Sequence, residues 1–241
     1  MFKNPIESPL FNTIVGLTLL VGSGLVASPA IASEYLYGGS GGSPNTLSIN
    51  GSTTLSTGQS QFDLGTNNQG WWSEANNFDG NDNYIVGNYN TNFYNNFFTF
   101  DISEIIEPVT SVTLNLQRYY GQSDLGSLIQ SYSLFDVSTD AATLNNNEGT
   151  NSTIFDDLGS GQQYGSFNVA VSGNESEILS FSLNSNAIAD LNSAISLNQQ
   201  FFSVGGSSQP QPVPEPSSIL GLLAFAGLSL KAVAKRKKVT H

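Results

Sequence analysis

Between Asn67 and Asn96, seven aromatic residues, five of them Trp or Tyr, and many asparagines have the composition of a carbohydrate-binding surface. Trp71, Trp72, Tyr84, Tyr89 and Tyr94 lie in a stretch with eleven asparagines in thirty residues. Sugars stack the apolar C–H faces of their rings on aromatic side chains, while amides and carboxylates bond the hydroxyls. The competing expectation is that the tryptophans are core and the asparagines form turns, since Asn tolerates the left-handed conformation. The same stretch carries oxygen ligands for a hard cation. Asp79, Asn81 and Asn83 are spaced as the first three ligands of a calcium loop, with Asp82 between them. Tyr84 stands where that loop needs its turn glycine and Asn90 where it needs a bidentate Glu, so the standard loop is not completed. A structural Ca²⁺ on Asp79, Asn81, Asp82 and Asn83 is the one cofactor the sequence suggests.

Catalytic options are few. The chain has no cysteine and one histidine, His241. Thiol nucleophiles, Ser-His-Asp triads and Cys- or His-ligated zinc are therefore excluded from the central region. Paired carboxylates remain, with Glu74, Asp79, Asp82, Asp101, Glu104 and Asp157 as candidates for the two acids of a glycoside hydrolase. No spacing singles out a pair. Solvated surface acids are the simpler reading, and no catalytic residue is expected.

Charge narrows the partners. Between Ser33 and Val213 lie seventeen acidic residues and one basic residue, Arg118. Nucleic acid is recognised through clustered Lys and Arg, so no nucleic-acid partner is expected.

The elements that must position these residues are mostly strands. Val112, Leu114 and Leu116 alternate with Thr113, Asn115 and Gln117; Phe167, Val169 and Val171 form a second alternating set, and Leu179, Phe181 and Leu183 a third. Period-two alternation predicts half-buried strands. Further strands are expected at 46–50 and 53–57 around the hairpin signal Asn50-Gly51, and at 83–87, 96–102, 131–138 and 200–204. Ala187, Ile188, Leu191, Ala194 and Ile195 predict one short helix, capped by Asn184 or Ser185. The fold class expected is all-β, an antiparallel β-sandwich of jelly-roll type with that one helix. The run Phe98–Ser103 followed by Val109–Leu114 is similar to a strand–turn–strand pattern of secreted β-sandwich modules, some of which bind carbohydrate.

The two ends read as addresses. Residues 1–32 predict a signal peptide: Lys3, an apolar run of 13 residues from Ile14 to Val26, then Ala30-Ile31-Ala32 before Ser33. As a helix that run is about 20 Å long, short of a membrane span. Signal peptidase would cut between Ala32 and Ser33. Residues 33–45 then read as a Gly/Ser-rich linker, 46–204 as the β-domain and 205–213 as a second linker. Beyond it come Pro214, Glu215 and Pro216, an apolar segment through Leu230, then Lys231 and the cluster Lys235, Arg236, Lys237 and Lys238. Such a segment predicts a transmembrane-like helix with a cytoplasmic basic end.

That three-part order resembles the PEP-CTERM sorting signal of Gram-negative bacteria. The resemblance implies an inner-membrane precursor recognised by an exosortase, a membrane cysteine peptidase. It also implies later residence at the cell surface or in an exopolysaccharide matrix or biofilm. The expectation is an exported, non-enzymatic surface or matrix protein. A glycan-binding module and a carboxylate-based hydrolase are the alternatives.

Overall fold

The computed structural model describes residues 33–38, 45–57, 68–74, 83–123, 129–145, 151–174 and 176–209. The signal peptide and the sorting signal expected at the two ends lie outside these residues. Among the described residues, no helix is long and apolar enough to cross a membrane.

The chain is mostly antiparallel β-sheet, curled into a half-barrel. Its strands are β1 (Glu34–Gly38), β2 (Thr46–Ile49), β3 (Thr53–Ser56), β4 (Gln69–Ser73), β5 (Tyr84–Tyr89), β6 (Asn92–Asp101), β7 (Val112–Ser123) and β8 (Ile129–Asp136). After helices α1 (Ala141–Asn145) and α2 (Ser152–Asp157) come β9 (Gln163–Ala170), β10 (Ile178–Ser182), helix α3 (Ser185–Ser196) and β11 (Phe201–Gln209).

Strand β7 is the hinge of the topology. Its first half lies between β2 and β10, and its second half pairs with β1. The change of partner coincides with a register shift between Tyr37 and Gly38, opposite Arg118. Arg118 is buried there; it donates to the Ala170 carbonyl and lies 3.6 Å from Glu177 Oε2. From β1 the sheet continues through β5, β6, β11, β8 and β9, and β4 also pairs with β6.

The alternation read from the sequence builds the core. Val112, Leu114 and Leu116 are buried, and Thr113, Asn115 and Gln117 on the other face are half-buried. They meet Leu47, Ile49, Phe98, Phe100, Phe181 and the apolar stripe Ala187, Leu191 and Ala194 of α3. Asn184 caps α3 as expected, its side chain accepting from the Asn186 and Ala187 amides. Asn192 then clips the helix to Val109, accepting from its N–H and donating to its carbonyl at 2.9 Å each. At the β2–β3 hairpin, Asn50 and Gly51 take φ of 54° and 68°, as a type I′ turn requires.

Three features depart from the sequence reading. Among the described residues there are three helices where the β-domain was expected to hold one. α1 and α2 cover a second cluster made of Trp72, Phe97, Leu144, Ile154 and Leu158. They are five and six residues long, too short for a 3.6-residue apolar stripe to register in sequence. Strand β1 occupies part of the segment read as the first linker, and β11 runs through Gln209 into the second. In that second segment the glycines serve close packing. A Cβ on Gly205 would meet the Leu158 backbone, and one on Gly206 would meet the Asn96 and Tyr132 side chains.

Candidate functional site

Strand register gathers aromatic rings on one face of the sheet. Tyr35 of β1 stands opposite Gly87 of β5, Gly87 opposite Tyr94 of β6, and Tyr94 opposite Ser73 of β4. Gly87 has φ of 105°, and a Cβ there would run into the Glu34 carbonyl oxygen, so this position in the row must stay without a side chain. Tyr89, two residues along β5, bridges the gap. Its ring centroid lies 4.7 Å from that of Tyr35 and 6.5 Å from that of Tyr94. Trp71 of β4 meets Tyr94 edge-on at 4.9 Å and 80°. On the other flank Tyr120 of β7 is 6.3 Å from Tyr35, and Tyr119 meets Tyr37 edge-on at 5.8 Å. These distances lie in the range where aromatic pairs attract and hold one another in place.

Three of the rings are open to solvent, Tyr89 at 38%, Tyr120 at 49% and Tyr119 at 56% exposed, while Tyr35 is buried and Tyr37, Trp71 and Tyr94 are half-buried. Tyr35, Tyr37, Ile85, Tyr89, Tyr119 and Tyr120 line a groove of about 350 Å³. Burial pushes the Tyr94 hydroxyl up, partly offset by its hydrogen bond with Asn92, so it stays protonated and able to donate.

Of the five aromatic residues expected in a glycan site, Trp71, Tyr89 and Tyr94 come together here. Trp72 and Tyr84 belong to the core instead. Trp72 is 2% exposed and its Nε1 donates to the Leu144 carbonyl at 3.3 Å. Tyr84 donates its hydroxyl to the Gln117 carbonyl at 3.0 Å and packs edge-on against Phe98. The cause is strand geometry: successive side chains point to opposite faces, so neighbouring tryptophans cannot share one. Sequence reasoning missed Tyr35, Tyr37, Tyr119 and Tyr120. Tyr35-Leu36-Tyr37 was visible as a short alternation, but the glycines after it masked the strand.

Beside the rings, Tyr94 also lines a second groove of about 440 Å³, with Glu74, Phe93, Asn95, Phe155, Asp156, Gly159, Ser160, Ser207 and Ser208. Asn95 fixes one wall by donating to the Phe155 carbonyl at 2.9 Å. Glu74, a predicted acid, lines this groove together with Asp156.

The other predicted acids serve elsewhere or lie outside the described residues. Asp157 accepts from the backbone amides and the hydroxyls of Ser138 and Thr139. Burial alone would raise its carboxyl, but those hydrogen bonds outweigh it and hold the group below its ordinary range. Asp101 accepts from the Ser103 amide at 2.7 Å, and Glu104 is exposed in the following turn. Asp79 and Asp82 lie outside the described residues, as does Asn81 of the expected calcium loop. Asn83 is described, and its amide donates to the Tyr37 hydroxyl at 3.0 Å. Among the described residues no group of three or more His, Cys, Asp or Glu is placed to hold a metal. Of the residues expected in processing, Ser33 is described; Ala30, Ala32, Pro214, Glu215, Pro216 and the basic tail are not.

No protein-family model matches the chain, and no curated protein does.

Proposed function

We propose that this chain is an exported, non-enzymatic protein of the bacterial envelope that holds polysaccharide on the aromatic face of its β-domain. The observation that carries the reading is the run of ring contacts from Trp71 through Tyr94, Tyr89 and Tyr35 to Tyr120, with Tyr89 and Tyr120 exposed along a groove and Tyr35 buried beneath them. Flat apolar surfaces with polar edges suit sugar rings, which are apolar on one face and hydroxylated at the rim. The curled sheet is read as a jelly-roll-like sandwich, a rigid support that fixes the rings in advance and lowers the ordering cost of binding. Asp157, satisfied by four hydrogen bonds and held ionised, is suited to bracing the 138–139 turn and poorly suited to donating a proton.

Affinity electrophoresis of the full chain through gels containing soluble polysaccharides tests the binding. The parent is expected to be retarded, and Trp71→Ala or Tyr94→Ala to lose about tenfold in affinity with the fold intact. Retardation unchanged in both variants would remove the aromatic face from the reading.

The export half of the proposal rests on the two terminal signals. Signal peptidase would release a chain beginning at Ser33, and an exosortase would act near Pro214-Glu215-Pro216. Replacing those three residues by alanine is expected to leave an uncut chain in the inner-membrane fraction, while the parent reaches the surface or medium. Fractionation with intact-mass measurement reads both. Identical mass and distribution for the two chains would reject the sorting role of the motif.

A further inference from the structure

The groove beside the rings carries a chemical preference. Glu74 closes β4 and Asp156 sits in α2, and both line the 440 Å³ groove whose wall includes Tyr94. Both are exposed, and neither side chain takes a hydrogen bond or ion pair from the described residues. Nearby, Ser160 and Ser207 supply hydroxyls and Asn95 an amide. Among the described residues no cation is available to receive an anionic sugar. Arg118 is the one basic residue among those described, and it is buried against Ala170 and Glu177. A uronate or sulfated chain would approach a domain with seventeen acids and one basic residue, and would meet two of those carboxylates in the groove without a counter-charge.

We infer that the ligand of this surface is an amine-bearing glycan, its sugar rings stacked from Trp71 and Tyr94 towards Tyr89 and its ammonium groups in the groove on Glu74 and Asp156. This rests on the reading of the aromatic face as a polysaccharide surface and names the class of polysaccharide. An ammonium offers three N–H donors. Glu74 and Asp156 accept them as charge-assisted bonds, which are shorter and stronger than neutral ones, and the Ser160 and Ser207 hydroxyls can accept as well. The rings take the apolar faces irrespective of charge, so they supply general glycan affinity while the carboxylates supply selectivity. Tyr94 belongs to both surfaces, so one chain of sugars can engage the two at once.

The test titrates the full chain at pH 6 with three soluble oligosaccharides: β-linked glucosamine, its fully N-acetylated counterpart and a polyuronate. Glucosamine oligomers are expected to bind tightest, the acetylated ones about tenfold more weakly and the polyuronate not at all, the preference shrinking as salt screens the charges. A polycation also adheres to any acidic protein, so single-charge variants separate the site from bulk charge. Glu74→Gln and Asp156→Asn are expected to lose the preference for the amine while still binding the acetylated oligomer. Glu107→Gln, on the turn after β6, is expected to keep it. Equal effects of all three variants, or tightest binding of the polyuronate, would overturn the inference. Equal binding of amine and acetylated oligomers would overturn it too, and leave the polysaccharide reading standing. Silence of the parent towards all three sugars, together with unaltered behaviour of Tyr94→Ala on every polysaccharide, would remove both.

Discussion

Trp72→Ala is expected to lower the stability of the β-domain by about 3–5 kcal/mol, the usual range for deleting a buried aromatic side chain. For a domain of this size that corresponds to a melting temperature lower by roughly 10 °C. The indole fills the cluster of Phe97, Leu144, Ile154 and Leu158, and its N–H satisfies the Leu144 carbonyl. Alanine leaves a cavity, removes the N–H that the Leu144 carbonyl accepts, and weakens the packing of α1 and α2 on the sheet. Trp71→Ala, one residue away, is expected to cost only about 1 kcal/mol, because what it loses is the edge-on contact with Tyr94. Sugar binding should respond the opposite way: abolished or weakened by Trp71→Ala, retained by whatever fraction of Trp72→Ala remains folded. Thermal melting followed by affinity electrophoresis reads both. Equal destabilisation by the two substitutions would contradict the assignment of one indole to the core and the other to the face.

That contrast also marks how far the sequence could be read. Alternation at Val112–Leu116, Phe167–Val171 and Leu179–Leu183 gave away the strands with one wet face, because period two is a local signal. The Asn50-Gly51 turn and the Asn184 cap were legible for the same reason: each depends on a few consecutive residues. The aromatic face was only half legible. Trp71 and Trp72 are equal as letters, and only the register of β4 against β6 decides which points outward. Tyr35 and Tyr120 enter the face through pairings with residues some fifty to ninety positions away, which one sequence does not display. Glycine was the most misleading letter. Gly38 and Gly205 read as linker but mark places where strands approach backbone too closely for a Cβ.

Glu34 sets a second large effect, visible in the pH dependence of stability. It is 1% exposed, and neither of its carboxylate oxygens has a partner among the described residues. Burial pushes this carboxyl above its ordinary value of about 4.5. A group whose value is raised by folding favours the folded state fully below its unfolded value and loses that contribution as pH rises through the folded one. Asp157 works in the reverse sense. Its hydrogen bonds lower its folded value, so its contribution is present above the unfolded value and lost as pH falls through the folded one. Stability is therefore expected to peak on the acid side of neutrality, between the two transitions.

Glu34→Gln should flatten the neutral arm and leave the acid arm. At pH 7 Glu34→Gln is expected to melt above the parent, and the gain to vanish as pH falls below the ordinary carboxyl value. Asp157→Asn should do the converse, weakening the domain at neutral pH and flattening the acid arm. The proposed processing at Ser33 would enter the same balance, since a chain beginning there would carry an α-ammonium one residue from this buried carboxylate. Glu34→Gln should then stabilise the processed chain less than one that keeps residues ahead of Ser33. Melting temperatures between pH 4 and 8 for the two chain lengths, with and without the substitution, decide it. Parallel curves for Glu34→Gln and parent would mean that the carboxylate finds a counter-charge outside the described residues.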